Sequence, residues 1–97
     1  MAGKRNEKMY YAYTLLSRKR GCFYIGMTSD IDRRMKEHRA GQCHTTARMS
    51  DFELIFYEAF KSKQDALRRE KYFKTAKGKK MLRLILRESL QAVSEKI

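Results

Sequence analysis

Tyr13, Tyr24, Arg34, His38 and Glu70 are the residues of this 97-residue chain whose types and spacing could do chemistry together. Phosphodiester cleavage needs such parts. A water must lose a proton, the charge growing on the phosphoryl oxygens must be neutralised, and the leaving oxygen must be stabilised. An arginine presents a planar fork matched to phosphate oxygens. A carboxylate can hold a divalent metal that supplies part of the neutralisation. A tyrosine in a cationic field can orient the water or take its proton. Each residue also has a plainer reading. The tyrosines could be packing groups with satisfied hydroxyls. His38 could cap a helix dipole. Glu70 could be a salt-bridge partner, with Arg34 as its counter-ion.

The elements that must position these residues can be read around Cys22 to Arg39. A short aromatic and aliphatic run, Cys22 to Met27, suits a strand. Thr28-Ser29-Asp30 can cap a helix by accepting bonds from its free N–H groups. The helix predicted from about Asp30 to Ala40 has Ile31 and Met35 as apolar positions. Arg34 and His38 share the face of Ile31 on a 3.6-residue period. Arg33 and Glu37 can pair on the outer face. Upstream, Met9 to Leu16 is almost unbroken in its apolar and aromatic character, as a central strand buried on both faces would be. Ser17 to Gly21 is a turn, so the two runs form a hairpin. Tyr13 and Tyr24 then lie on neighbouring strands.

Downstream, Gly41 ends the first helix. Gln42 to Asp51 reads as a loop rich in donors, among them Cys43, His44, Thr45, Thr46 and Arg48. Phe52 to Phe60 is a third strand, with Phe52, Leu54 and Phe56 expected on one face. A second helix starts near Ser62 and runs to about Thr75. Ala66, Glu70 and Phe73 fall at i, i+4 and i+7, which puts Glu70 on or beside its buried stripe. Lys77 to Lys80 reads as a basic junction. A third helix is expected from Met81, with Leu82, Leu86, Leu90 and Val93 on one face and Ile85 beside them. The order β-β-α-β-α-α gives an α+β domain, a three-stranded antiparallel sheet flanked by helices. Residues 1–8 read as a flexible basic arm and 9–94 as a single domain.

Composition narrows the partners. The chain holds 23 Lys and Arg against 11 Asp and Glu, a net charge of +12. So large an excess on so small a body implies a polyanion, most often nucleic acid. It concentrates from Lys61 to Arg83, with ten basic and two acidic residues. Two cysteines without CxxC spacing make neither a zinc site nor a disulfide scaffold. Reduced thiols suit a cytoplasmic or nuclear setting. No apolar run is long enough to span a membrane, and no small-molecule cofactor is expected.

Tyr24-Ile25-Gly26 resembles the second half of the GIY-YIG signature. Tyr11-Ala12-Tyr13 resembles the first half, with Tyr11 where the family usually has Gly. The spacing from Tyr13 to Tyr24 is similar to the family pattern, as are Arg34, His38 and Glu70. Phe23 to Arg39, Thr45 to Arg48 and Ala66 to Gly78 look most like the small stand-alone GIY-YIG proteins. Those are related to the N-terminal nuclease domain of UvrC and to intron-encoded homing endonucleases. The resemblance implies a metal-dependent endonuclease that hydrolyses DNA, structured or single-stranded, with little sequence specificity, of a kind used in DNA repair or recombination. It implies that Glu70 binds one Mg²⁺ or Mn²⁺ and that Tyr13 or Tyr24 orients or deprotonates the water. Arg34, assisted by His38, would stabilise the developing charge. Thr46, Arg48, Arg69, Lys74, Lys77, Lys79 and Lys80 are the expected nucleic-acid contacts. One departure stands out. Many nuclease members carry an Asn after the Glu-bearing helix, and the one Asn here is Asn6. The rival expectation is a nucleic-acid-binding protein that keeps the fold without turnover.

Overall fold

The computed structural model describes residues 8–41 and 52–95. Nearly all of the expected N-terminal arm lies outside the described residues, as do Cys43, His44, Thr45, Thr46 and Arg48. Strand β1 (Tyr10–Ser17) is central in a three-stranded antiparallel sheet of order β2-β1-β3. Its flanking strands are β2 (Cys22–Thr28) and β3 (Phe52–Phe60). Ala12 through Ser17 are all buried, which accounts for the missing alternation in that run. Both faces of a central strand are covered, so neither needs to be polar.

Helix α1 (Ile31–Arg39) covers one face of the sheet. Asp30 is its N-cap, and the Asp30 carboxylate accepts the Arg33 backbone N–H at 3.0 Å. Met35 from this helix packs with Tyr13 and Leu15 from β1, joined by Tyr24, Ile31, Phe52 and Leu54. Helix α2 (Lys63–Phe73), capped by Ser62, contributes to the other face. There Ile25, Phe73, Leu82 and Leu86 form a second cluster with Phe23, Ile55, Phe56, Tyr72 and Leu90 against it.

Strand β3 departs from simple alternation. Thr14 pairs with Phe56 but Leu15 pairs with Leu54, so Ile55 is an extra residue in the ladder. A β-bulge of this kind puts two residues opposite one and changes which face the following side chains take. Phe52 and Leu54 therefore pack toward α1, whereas Phe56 joins the α2 side. The expectation that Phe52, Leu54 and Phe56 share one face is corrected by this bulge.

The C-terminal region also differs from expectation. Lys77 to Lys80 is not a junction but lies within helix α3 (Ala76–Ile85). Thr75 starts that helix, its hydroxyl accepting the Gly78 N–H at 2.9 Å. Gly78, within that stretch, is buried, and a Cβ there would collide with the Tyr72 carbonyl. The glycine lets the first turn of α3 lie against the end of α2. The expected third helix is in fact two, since α4 (Arg87–Glu95) follows after Leu86. Leu82, Leu86 and Val93 are buried as the spacing implies, but Ile85 is 42% exposed.

Candidate active site

Four of the five candidate residues come together between the hairpin and α1. Tyr13 is 0% exposed. Its ring lies over Gly26 on the neighbouring strand, where an added Cβ would sit 2.6 Å from the Tyr13 hydroxyl oxygen. Glycine at position 26 thus makes room for the tyrosine across the ladder. The Tyr13 hydroxyl lies 2.9 Å from His38 Nε2. It also accepts Arg34 Nε–H at 3.2 Å. Arg34 Nη1 donates to Glu37 Oε1 at 2.9 Å. Arg33, the partner that the i,i+4 spacing predicts for Glu37, does approach it at 3.7 Å. The tighter bond of Glu37 to Arg34 is the site contact that sequence reading passed over. The i,i+3 spacing of Arg34 and Glu37 was the available signal.

His38 lies in the last turn of α1 and is 1% exposed. Its ring meets the edges or faces of Tyr13, Tyr24 and Phe52 at centroid distances of 5.8, 5.3 and 5.7 Å. Burial lowers its pKa from the ordinary 6.5, and the Arg34 charge lowers it further, with Glu37 acting in the opposite sense. A buried imidazole of this kind is neutral at pH 7 and offers one donor and one acceptor nitrogen. With Nε2 as acceptor, the path from Arg34 Nε–H through the Tyr13 hydroxyl to His38 runs donor to acceptor throughout. That tautomer is assigned from the network.

The two tyrosines differ. The Tyr13 hydroxyl is engaged inside the protein. Tyr24 is half-buried, its ring 6.3 Å from that of Tyr13, and among the described residues its hydroxyl has no hydrogen bond to protein.

Glu70 stands apart from this network. Its side chain is 18% exposed, and its carboxylate pairs with Lys74 Nζ at 3.1 Å. The Arg34–Glu70 pair considered from sequence is replaced by Arg34–Glu37 and Lys74–Glu70. Among the described residues no three His, Cys, Asp or Glu side chains gather as a metal site. Mg²⁺, however, keeps several waters and often takes only one or two protein carboxylates together with substrate phosphates. A single half-buried Glu fits that mode of binding.

The expected nucleic-acid contacts are placed unequally. Lys77 and Lys80 are exposed on α3, and Lys79 is half-buried. Lys74 is held by Glu70. Arg69 bonds Glu58 through Nε at 2.7 Å and Nη2 at 3.2 Å, and its guanidinium lies 4.5 Å from the Phe73 ring centroid. The hydrogen bond to Glu58 raises the Arg69 pKa above its ordinary value. No helix among the described residues is long and apolar enough to cross a membrane.

Comparison with known proteins agrees with this architecture. The family described as the GIY-YIG catalytic domain matches residues 9–83. A UPF0213 protein of Lacticaseibacillus paracasei is 41% identical over 68 residues, covering 69% of this chain and 75% of that protein. The UPF0213 protein BH0048 of Halalkalibacterium halodurans is 36% identical over 77 residues, covering 78% and 81%. The solution NMR structure of the UPF0213 protein BH0048 from Bacillus halodurans aligns with a TM-score of 0.51 at 35% identity, covering 79% of this chain and 84% of that one. With the match running through both tyrosine motifs, Arg34 and Glu70, the chain belongs to the GIY-YIG catalytic-domain family.

Proposed function

We propose that this protein is an endonuclease that hydrolyses DNA phosphodiester bonds with little sequence preference. The GIY-YIG domain family comprises nucleases. The observation that carries the reading is the Tyr13–Arg34 bond. The Tyr13 hydroxyl holds the guanidinium by Nε at 3.2 Å while the Arg34 side chain stays one-third exposed. A positioned Arg is suited to charge that grows on a phosphoryl group. Tyr24, whose hydroxyl has no hydrogen bond to protein among the described residues, is the group to orient the attacking water or take its proton. Tyr13 and neutral His38 act as positioning residues behind Arg34. Glu70 would hold one Mg²⁺ or Mn²⁺. Such an ion supplies Lewis-acid stabilisation of phosphoryl oxygens.

Nicking of supercoiled plasmid by purified protein, with Mg²⁺ and with chelator, tests this reading. Wild-type protein should nick only with metal. Glu70→Ala should bind DNA, keep its melting temperature and not nick. Equal nicking by Glu70→Ala would overturn the metal assignment. Metal-insensitive silence of the wild type, with DNA binding retained, would favour the non-catalytic binder.

A further inference from the structure

The same sheet face that carries Tyr13 carries a second, exposed aromatic. Tyr57 pairs directly with Tyr13 across the β1–β3 ladder, and directly paired residues project to the same side. It is 51% exposed, the most exposed large aromatic among the described residues. Its ring meets Tyr11 edge-on, at a centroid distance of 5.6 Å and an interplanar angle of 77°. Tyr11 therefore props Tyr57 and leaves a face of that ring uncovered. The two tyrosines form one wall of an open recess of about 290 Å³, whose other sides are Ser29, Asp30, Ile31 and Asp32 at the start of α1. Arg34 is one turn further along the same helix, so the recess adjoins the proposed phosphate site.

The lining selects what can enter. Asp30 and Asp32 repel a phosphate, although the chain as a whole carries a charge of +12. An uncharged planar group meets no such penalty and finds an aromatic face to stack on. A nucleobase still paired and stacked within a duplex keeps both its faces covered and cannot use that surface. An unpaired base can, and such stacking is how proteins hold single strands without reading sequence.

We propose that Tyr57, propped by Tyr11, is a stacking platform for an unpaired nucleobase of single-stranded DNA next to the phosphate held at Arg34. The inference rests on the proposed nuclease reading for the place of the phosphate. It deepens that reading by naming the substrate form, a strand with unpaired bases.

The test is a binding measurement in chelator, where no cleavage occurs, so its outcome is independent of whether the protein is a nuclease. Fluorescence anisotropy would follow a labelled single strand and the corresponding duplex, each with wild-type protein, Tyr57→Ala and Tyr57→Phe. Tyr57→Ala should weaken single-strand binding by between about 5- and 150-fold, the range that base–aromatic stacking gives on alanine substitution. Duplex binding should change by less than about twofold, because duplex affinity comes from phosphate contacts. Tyr57→Phe should bind the single strand like wild type, since the ring rather than the hydroxyl is used. Equal loss on both DNA forms, no loss on the single strand, or loss in the Phe variant matching the Ala variant would each overturn the proposal.

Discussion

The Tyr13 hydroxyl lies 2.9 Å from His38 Nε2, and both residues are sealed from solvent. Twenty-five positions apart in sequence, they make a polar bond inside the apolar layer between the sheet and α1. The same hydroxyl accepts Arg34 Nε–H at 3.2 Å. One oxygen from β1 thereby fixes two side chains of α1, one turn apart. The arrangement separates the roles of the tyrosines, and that separation can be measured.

Tyr13→Phe should destabilise the fold, because it leaves His38 Nε2 and Arg34 Nε without their shared partner. The loss expected for such an orphaned buried group is about 1–3 kcal/mol. Tyr24→Phe removes a hydroxyl with no protein hydrogen bond among the described residues and should leave the melting temperature nearly unchanged. Turnover should fall in both, but only Tyr24→Phe should lose it without losing stability. Denaturant unfolding alongside plasmid nicking checks the pair. A stable Tyr13→Phe would contradict the positioning role.

Stability should depend on pH through His38. Burial, followed by the Arg34 charge, holds its folded pKa below 6.5. Above pH 6.5 the imidazole is neutral in both folded and unfolded chains, and its contribution is fully present. As the pH falls below 6.5 the unfolded chain takes the proton first, so stability is lost until the folded pKa is reached. Melting temperatures between about pH 7.5 and 5.5 should fall on acidification. The slope should be shallower in His38→Gln. Identical slopes in the two proteins would mean that His38 titrates no differently when folded.

Arg34→Lys should damage cleavage far more than binding. A lysine keeps the charge but cannot bond Tyr13 and Glu37 at once through a planar fork. Single-turnover cleavage at saturating protein should drop by about 10²- to 10³-fold, the size of effect seen when one such donor is removed. The dissociation constant should stay within severalfold. Near-wild-type cleavage would rule out the phosphate clamp.

Exposed Lys77 and Lys80 on α3 should contribute to binding through phosphates alone. Their joint replacement by Gln should weaken duplex binding for any sequence. It should also reduce the log–log salt slope by about 1.8, at roughly 0.9 per phosphate contact. A slope unchanged from wild type would place the DNA on another surface.

Much of this molecule was legible before any coordinates. The run from Met9 to Leu16 announced a central strand, observed as Tyr10–Ser17, because burial on both faces removes the need for polar alternation. The caps at Asp30 and Ser62 announced their helices because few residue types can accept the free N–H groups of a first turn. The +12 charge raised the expectation of a polyanionic partner. Local sequence was less informative where a remote neighbour decides. The bulge at Ile55 moves Phe56 to the opposite face from Leu54, and nothing in Phe52 to Phe60 marks it. Lys77 to Lys80 looks like a junction until Gly78 is set against the end of α2. Sequence alone put Tyr13, Tyr24, Arg34 and His38 in one neighbourhood, since strand pairing and helical period determine that much. It could not say which tyrosine is committed, that Arg34 bonds Glu37 while Glu70 bonds Lys74, or that Tyr57 stands uncovered beside Tyr13. Those outcomes depend on which side chains meet across strands and helices far apart in the chain, and only the packed tertiary structure decides them.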